Sequence, residues 1–146
     1  MEKGNCKMSV IKAFRQESKI QFIDTARELV VHTLTYCKKF PKSAMFLITK
    51  DIAELSKNIY IQVVSANVIF PNSKTDIEER KKHFDQALGY IDAPDCFLGI
   101  AKDSYTSNEE GKKISDYGWI HWGELLENEK NLIKKVLSAD SKRISA

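Results

Sequence analysis

The sequence predicts an all-α fold, an antiparallel up-down-up-down four-helix bundle. Apolar residues recur at alternating spacings of three and four along four separate stretches, the period of one helical face. Six glycines and three prolines are too few to punctuate a sandwich or barrel, which turns about every 8 to 12 residues. A length of 146 residues suits one domain with a core large enough to need no covalent staples. Four amphipathic rods on short connections bury their stripes best against one another.

Residues 1–19 alternate basic and apolar character through Lys7, Val10, Ile11, Lys12, Phe14, Arg15 and Lys19, and read as an N-terminal basic arm or a short amphipathic helix. The bundle itself is assigned to residues 20–137. The first helix, over about residues 18–39, carries Ile23, Ala26, Val30, Leu34 and Cys37 on one face. Phe40-Pro41 ends it, because a proline excludes its predecessor from helical geometry. Ser43 is the expected N-cap of the second helix, whose stripe is Ile48, Ile52, Leu55, Ile59, Val63, Ala66 and Phe70. Some 26 residues would make a rod about 39 Å long, ending at Pro71-Asn72-Ser73.

Thr75 with Glu78 reads as a capping box opening the third helix, with Ile77, Phe84, Ala87, Leu88, Ile91, Leu98 and Ala101 inward. Pro94 is expected to kink it near Asp92 or divide it into two collinear segments. Residues 102–113 are polar, include Gly111 and read as a loop. Ile114, Tyr117, His121, Leu125, Leu132 and Val136 define the fourth stripe, and residues 138–146 read as a polar tail.

Cys6, Cys37 and Cys96 are odd in number and far apart, which gives neither a disulfide framework nor a zinc spacing. A reduced, cytoplasmic protein is the simplest expectation. The N-terminus lacks a signal-peptide apolar stretch, and no run reaches the 18 or so apolar residues of a membrane span, so no membrane partner is expected.

Candidates for catalysis are thin. His32, His83 and His121 sit on three predicted helices, but none has the Glu three residues before it that di-metal bundles use. Hydrogen-bonded or surface histidines are the plainer reading. Cys37 and Cys96 fall in apolar surroundings with no neighbouring base to activate them. No Gly-rich phosphate loop, G-x-S-x-G or H-E-x-x-H is present. We therefore assign no catalytic residue, metal or cofactor, and expect a protein that is not an enzyme. Trp119 and Trp122, three apart on the fourth helix, could stack on bases, but fit a bundle core or subunit contact better and stand as candidates for an oligomer or partner interface.

Formal net charge is only +3, so the distribution of charge carries the argument. Residues 1–43 hold nine Lys or Arg against four acids, whereas residues 71–101 hold four against six. Helix-dipole compensation explains part of the Lys38, Lys39 and Lys42 cluster, and intrahelical pairing explains Arg80-Lys81-Lys82. Neither explains the run Lys7, Lys12, Arg15, Lys19, Arg27, Lys38, Lys39 and Lys42. A phosphate backbone is the usual partner of such a surface.

Three segments, Tyr36-Cys37-Lys38-Lys39-Phe40-Pro41-Lys42, Leu47-x3-Asp51-Ile52-x6-Ile59 through Ser65-Ala66-Asn67, and Arg80-x2-His83-Phe84-x2-Ala87-Leu88, resemble the Avd-like four-helix bundle proteins. That family includes the accessory variability protein of diversity-generating retroelements and the related proteins of 23S rRNA intervening sequences. The resemblance covers residues 20–101, and the last helix more loosely. It implies four-helix protomers that assemble into a homopentameric ring with a basic surface. It also implies binding of the element's reverse transcriptase and template RNA, with cDNA as a further nucleic-acid partner, in support of mutagenic cDNA synthesis. The positions matching the family's cationic residues are Lys38, Lys39, Lys42 and Arg80. The rival reading is a protein-only helical interaction module whose lysines keep the particle soluble.

Overall fold

The computed structural model describes residues 17–105 and 114–145, and side chains within 20–104 and 114–143. The described residues form four helices and no strand. They are α1 (Glu17–Cys37), α2 (Lys50–Asn67), α3 (Lys74–Tyr105) and α4 (Asp116–Ser145), with a 3-10 turn at Lys42–Ala44 and a π-helical turn at Met45–Thr49 leading into α2. Each helix packs on the next, and α4 closes back onto α1, making the four-helix bundle. Along α3 and α4, Arg80 meets Asp140 while Asp92 meets Lys130, so these two helices run in opposite directions.

The sequence of α3 explains its unbroken run. Ile77, Arg80, Phe84, Ala87, Ile91, Pro94, Leu98 and Ala101 are all buried, at spacings of three and four without a break. That is the seam of a helix packed lengthwise on its neighbours. Pro94 does not divide the helix into two segments: α3 is continuous from Lys74 to Tyr105. An interior proline costs about 3 kcal/mol. Here its ring occupies an inward position of the seam, where burial offsets part of that cost. The start of α3 also differs from expectation. Ser73 Oγ accepts the Asp76 backbone N–H at 3.1 Å, so Ser73, two residues before Thr75, caps the helix.

α2 buries Ile52, Ile59, Val63 and Ala66 as the spacing predicts, after Ile48 in the π-helical turn, but Ser56 is buried in place of Leu55, which is half-buried. Its α-helical part is shorter than expected, 18 residues, and Phe70 lies beyond its end and in solvent. Ser43 does not cap it. Ser43 is exposed within the 3-10 turn, and the residue preceding α2, Thr49, makes no capping bond either.

On α1 and α4 the inward face is rotated by one residue from the predicted stripe. α1 buries Phe22, Ala26, Leu29, His32 and Thr33, while Leu34 is exposed. Apolar side chains cover well over half of α1, and the side that meets Trp122 becomes the core. α4 buries Gly118, Trp122, Leu125, Leu126, Glu129, Ile133 and Asp140, while Tyr117 is exposed. The predicted polar tail is helical to Ser145, because Asp140 is an inward residue with a partner. Of the predicted loop 102–113, the first residues belong to α3, and residues 106–113 lie outside those described. No helix among the described residues is long and apolar enough to cross a membrane.

Candidate nucleic-acid interface

α1 ends where Phe40 turns inward. Its ring stacks on Trp119 at 6.2 Å between centroids, and Trp119 stacks on Trp122 at 5.8 Å. Pro41, Ala44, Ile48 and Thr49 are buried after it, so the connector from α1 to α2 is held against the bundle along its length. What it leaves outside is cationic and apolar. Lys38 and Lys42 are exposed, and Lys50 follows at the start of α2. Lys39 is half-buried with its ammonium 5.0 Å from the centre of the Tyr36 ring. Arg27, Val31, Leu34 and Lys38 recur at helical spacing on the outward face of α1, and all are exposed. Among the described residues, Arg27, Lys38, Lys42 and Lys50 have no ion-pair partner, whereas Lys81 and Lys82 pair within α3 with Asp85 and Glu79.

The structure thus brings Lys38, Lys39 and Lys42 together on one connector, with Arg27 on the adjoining outward face. Lys12 and Arg15 lie outside the described residues, and Lys19 is on the first turn of α1.

Arg80 is a different case. It is only 8% exposed and is committed on every side. Its Nε donates to Asp140 Oδ2 at 2.7 Å, its Nη2 to Oδ1 at 3.4 Å, and its Nη1 to the carbonyls of Ala66 and Ile69 at 3.2 and 2.8 Å. Those carbonyls lie at and just beyond the C-terminal end of α2, where partial negative charge accumulates, and the Ala66 carbonyl also accepts the Ile69 backbone N–H at 3.2 Å. Arg80 therefore ties α2, α3 and α4 together, and is unavailable to a phosphate. The sequence held a signal for this: Arg80 sits three after Ile77 and four before Phe84, an inward position.

Trp122 is likewise internal. It is 1% exposed, and its Nε1 donates to Thr33 Oγ1 at 2.8 Å, which makes it a core residue of the protomer and removes it as a contact for another chain. Trp119 is half-buried beneath Phe40.

Around the tryptophans lie two histidines. His32 Nε2 donates to the Gly118 carbonyl at 2.9 Å, which fixes the proton on that nitrogen. Burial lowers the His32 pKa, the Gly118 carbonyl working against this and nearby His121 with it. The His32 and His121 rings are 4.9 Å apart edge to face, and His121 Nε2 donates to Glu28 Oε2 at 3.2 Å across the α1–α4 seam. His83 is elsewhere, donating from Nδ1 to Gln62 Oε1 at 2.7 Å. The described residues contain no group of three or more His, Cys, Asp or Glu placed to hold a metal ion. Cys37 is held near 11 by burial, an unreactive thiol, and Cys96, expected in apolar surroundings, is exposed.

The chain has no match among protein-family models, curated proteins or solved structures.

Proposed function

We propose that this chain is a non-enzymatic accessory protein of a diversity-generating retroelement, an oligomeric basic scaffold that holds the reverse transcriptase and its template RNA together. The sequence resemblance supplies the family. The observation that carries the nucleic-acid part is the exposed Lys38 and Lys42 on the α1–α2 connector, unpaired among the described residues, with Lys39 between them and Arg27 on the adjoining face. A surface cation that neutralises a phosphate releases the counterion condensed on the nucleic acid there, and that release drives binding. Repeating the cluster around a homopentamer would multiply the effect through multivalency. Arg80 takes no part.

The test is the triple variant Lys38→Glu, Lys39→Glu, Lys42→Glu, titrated with RNA between about 50 and 200 mM salt. Loss of three phosphate contacts per protomer weakens binding and flattens its dependence on salt. Affinity and slope equal to the parent protein's would overturn the reading. Light scattering on the same samples gives the subunit number.

A second reading rests on the exposed apolar side chains Phe46, Leu47, Val68 and Phe70 at the two inter-helix connections bordering α2. A protein-only interaction module would use these and would carry no RNA through purification at moderate salt.

A further inference from the structure

The π-helical turn between α1 and α2 carries an exposed aromatic ring. Ala44, Ile48 and Thr49 face the core, so Met45, Phe46 and Leu47 face water, and Phe46 is 86% exposed. A π-helical turn is rare and is found disproportionately at functional sites. Lys42 precedes Phe46 by four residues and Lys50 follows it by four. Four residues are close to one turn of such a helical path, so both lysines fall near the side of the connector that carries Phe46. The exposed ring is therefore flanked, four residues away on each side, by a lysine that is exposed and unpaired among the described residues. Glu54, exposed and four residues beyond Lys50 in α2, closes the series on that side.

This chemistry suits one kind of ligand. An apolar protein partner would use the ring but would leave the lysines desolvated and unpaired, which is costly. A duplex would satisfy the lysines but keeps its bases stacked inside. A strand with unpaired bases satisfies both, because any base can stack on the ring while its flanking phosphates meet the ammonium groups. We infer that Lys42, Phe46 and Lys50 form a stacking platform for an unpaired base of single-stranded RNA.

The inference rests on the nucleic-acid reading above and makes that reading specific as to strand state. The phosphates supply affinity and the ring supplies preference for single strand over duplex. Phe46 is then a binding residue in a sense that Leu47 and Val68, equally apolar and nearly as exposed, are not.

The test uses the full-length chain, with a fluorescently labelled oligo(A) strand and the oligo(A)·oligo(U) duplex as probes. Phe46→Ala removes an exposed side chain, so the fold tolerates it. It should bind the single strand about tenfold more weakly, the equivalent of about 1.4 kcal/mol and within the range of one base–aromatic stack. Duplex affinity and salt dependence should not change. Phe46→Trp should restore single-strand binding, and Val68→Ala should leave both affinities as they were. Equal single-strand binding by Phe46→Ala and the parent chain would overturn the platform while leaving the phosphate contacts standing. A fall in particle mass on light scattering of RNA-free Phe46→Ala would also overturn it, by assigning the ring to self-association. A parent chain that binds neither probe refutes the nucleic-acid reading itself.

Discussion

Arg80 and Asp140, sixty residues apart in sequence, form a buried ion pair at 2.7 Å that joins the beginning of α3 to the end of α4. Removing one partner strands the other charge in the core, and such losses cost about 3–5 kcal/mol. Arg80→Ala and Asp140→Ala should each lower the urea midpoint accordingly. Arg80→Ala should be the more severe, because it also removes the side-chain donor to the Ile69 and Ala66 carbonyls. The double variant Arg80→Met, Asp140→Leu should recover much of the loss. Its RNA affinity should equal the parent's, since Arg80 faces inward.

Thr33 and Trp122 make the corresponding bond across α1 and α4. Thr33→Val keeps the shape and removes the acceptor, leaving a buried indole N–H unpaired at a cost of about 1–3 kcal/mol. Chemical denaturation followed by tryptophan fluorescence reads both stability and the altered indole environment. An unchanged midpoint would show that the indole finds another acceptor.

Gly118 is present because α1 and α4 touch there. A Cβ at this position would fall 2.6 Å from Tyr36 Cε1 and 2.9 Å from Ile114 Cγ2. Alanine normally gains about 1 kcal/mol over glycine inside a helix, whereas overpacking costs about 1–3 kcal/mol. Gly118→Ala should therefore destabilise despite the better helix former, and Tyr36→Leu in the same chain should relieve the clash. Thermal unfolding of the two variants decides it.

Glu129 is fully buried, neither carboxylate oxygen has a partner among the described residues, and burial pushes its pKa to about 9. The folded state therefore keeps this proton across a range in which the unfolded chain releases it. Below the ordinary carboxyl pKa both states are protonated and Glu129 has no pH-dependent effect. As pH rises from there towards 9 stability falls, by on the order of 3 kcal/mol at neutrality. Glu129→Met should raise stability at pH 7 and 8 and change it far less at pH 4.5, a dependence that denaturant titrations at these pH values measure directly.

The apolar period made four helices legible, and on α2 and α3 it identified the hydrophobic inward residues, though not Ser56, Arg80 or Pro94. It failed where polar groups occupy core positions. Glu129 and Asp140 interrupt the α4 stripe, so the visible pattern shifted to Tyr117 and His121 and stopped before the helix did. Thr33 and His32 did the same on α1. In the candidate site, the cations on the α1–α2 connector were legible from composition, while the inward turn of Arg80 depended on an acceptor sixty residues away. Ser73 and Thr75 each precede an acid by three residues, and local sequence does not choose between them. The outward display of Phe46 follows from a π-helical turn, for which no sequence period was available.

A chain trimmed at residue 137, where the hydrophobic pattern stops, would lose the only carboxylate paired with Arg80 among the described residues. Shortened versions made for crystallisation or labelling should keep everything through Ser145, and a fusion tag at that end belongs on a spacer long enough to let the final turns of α4 dock.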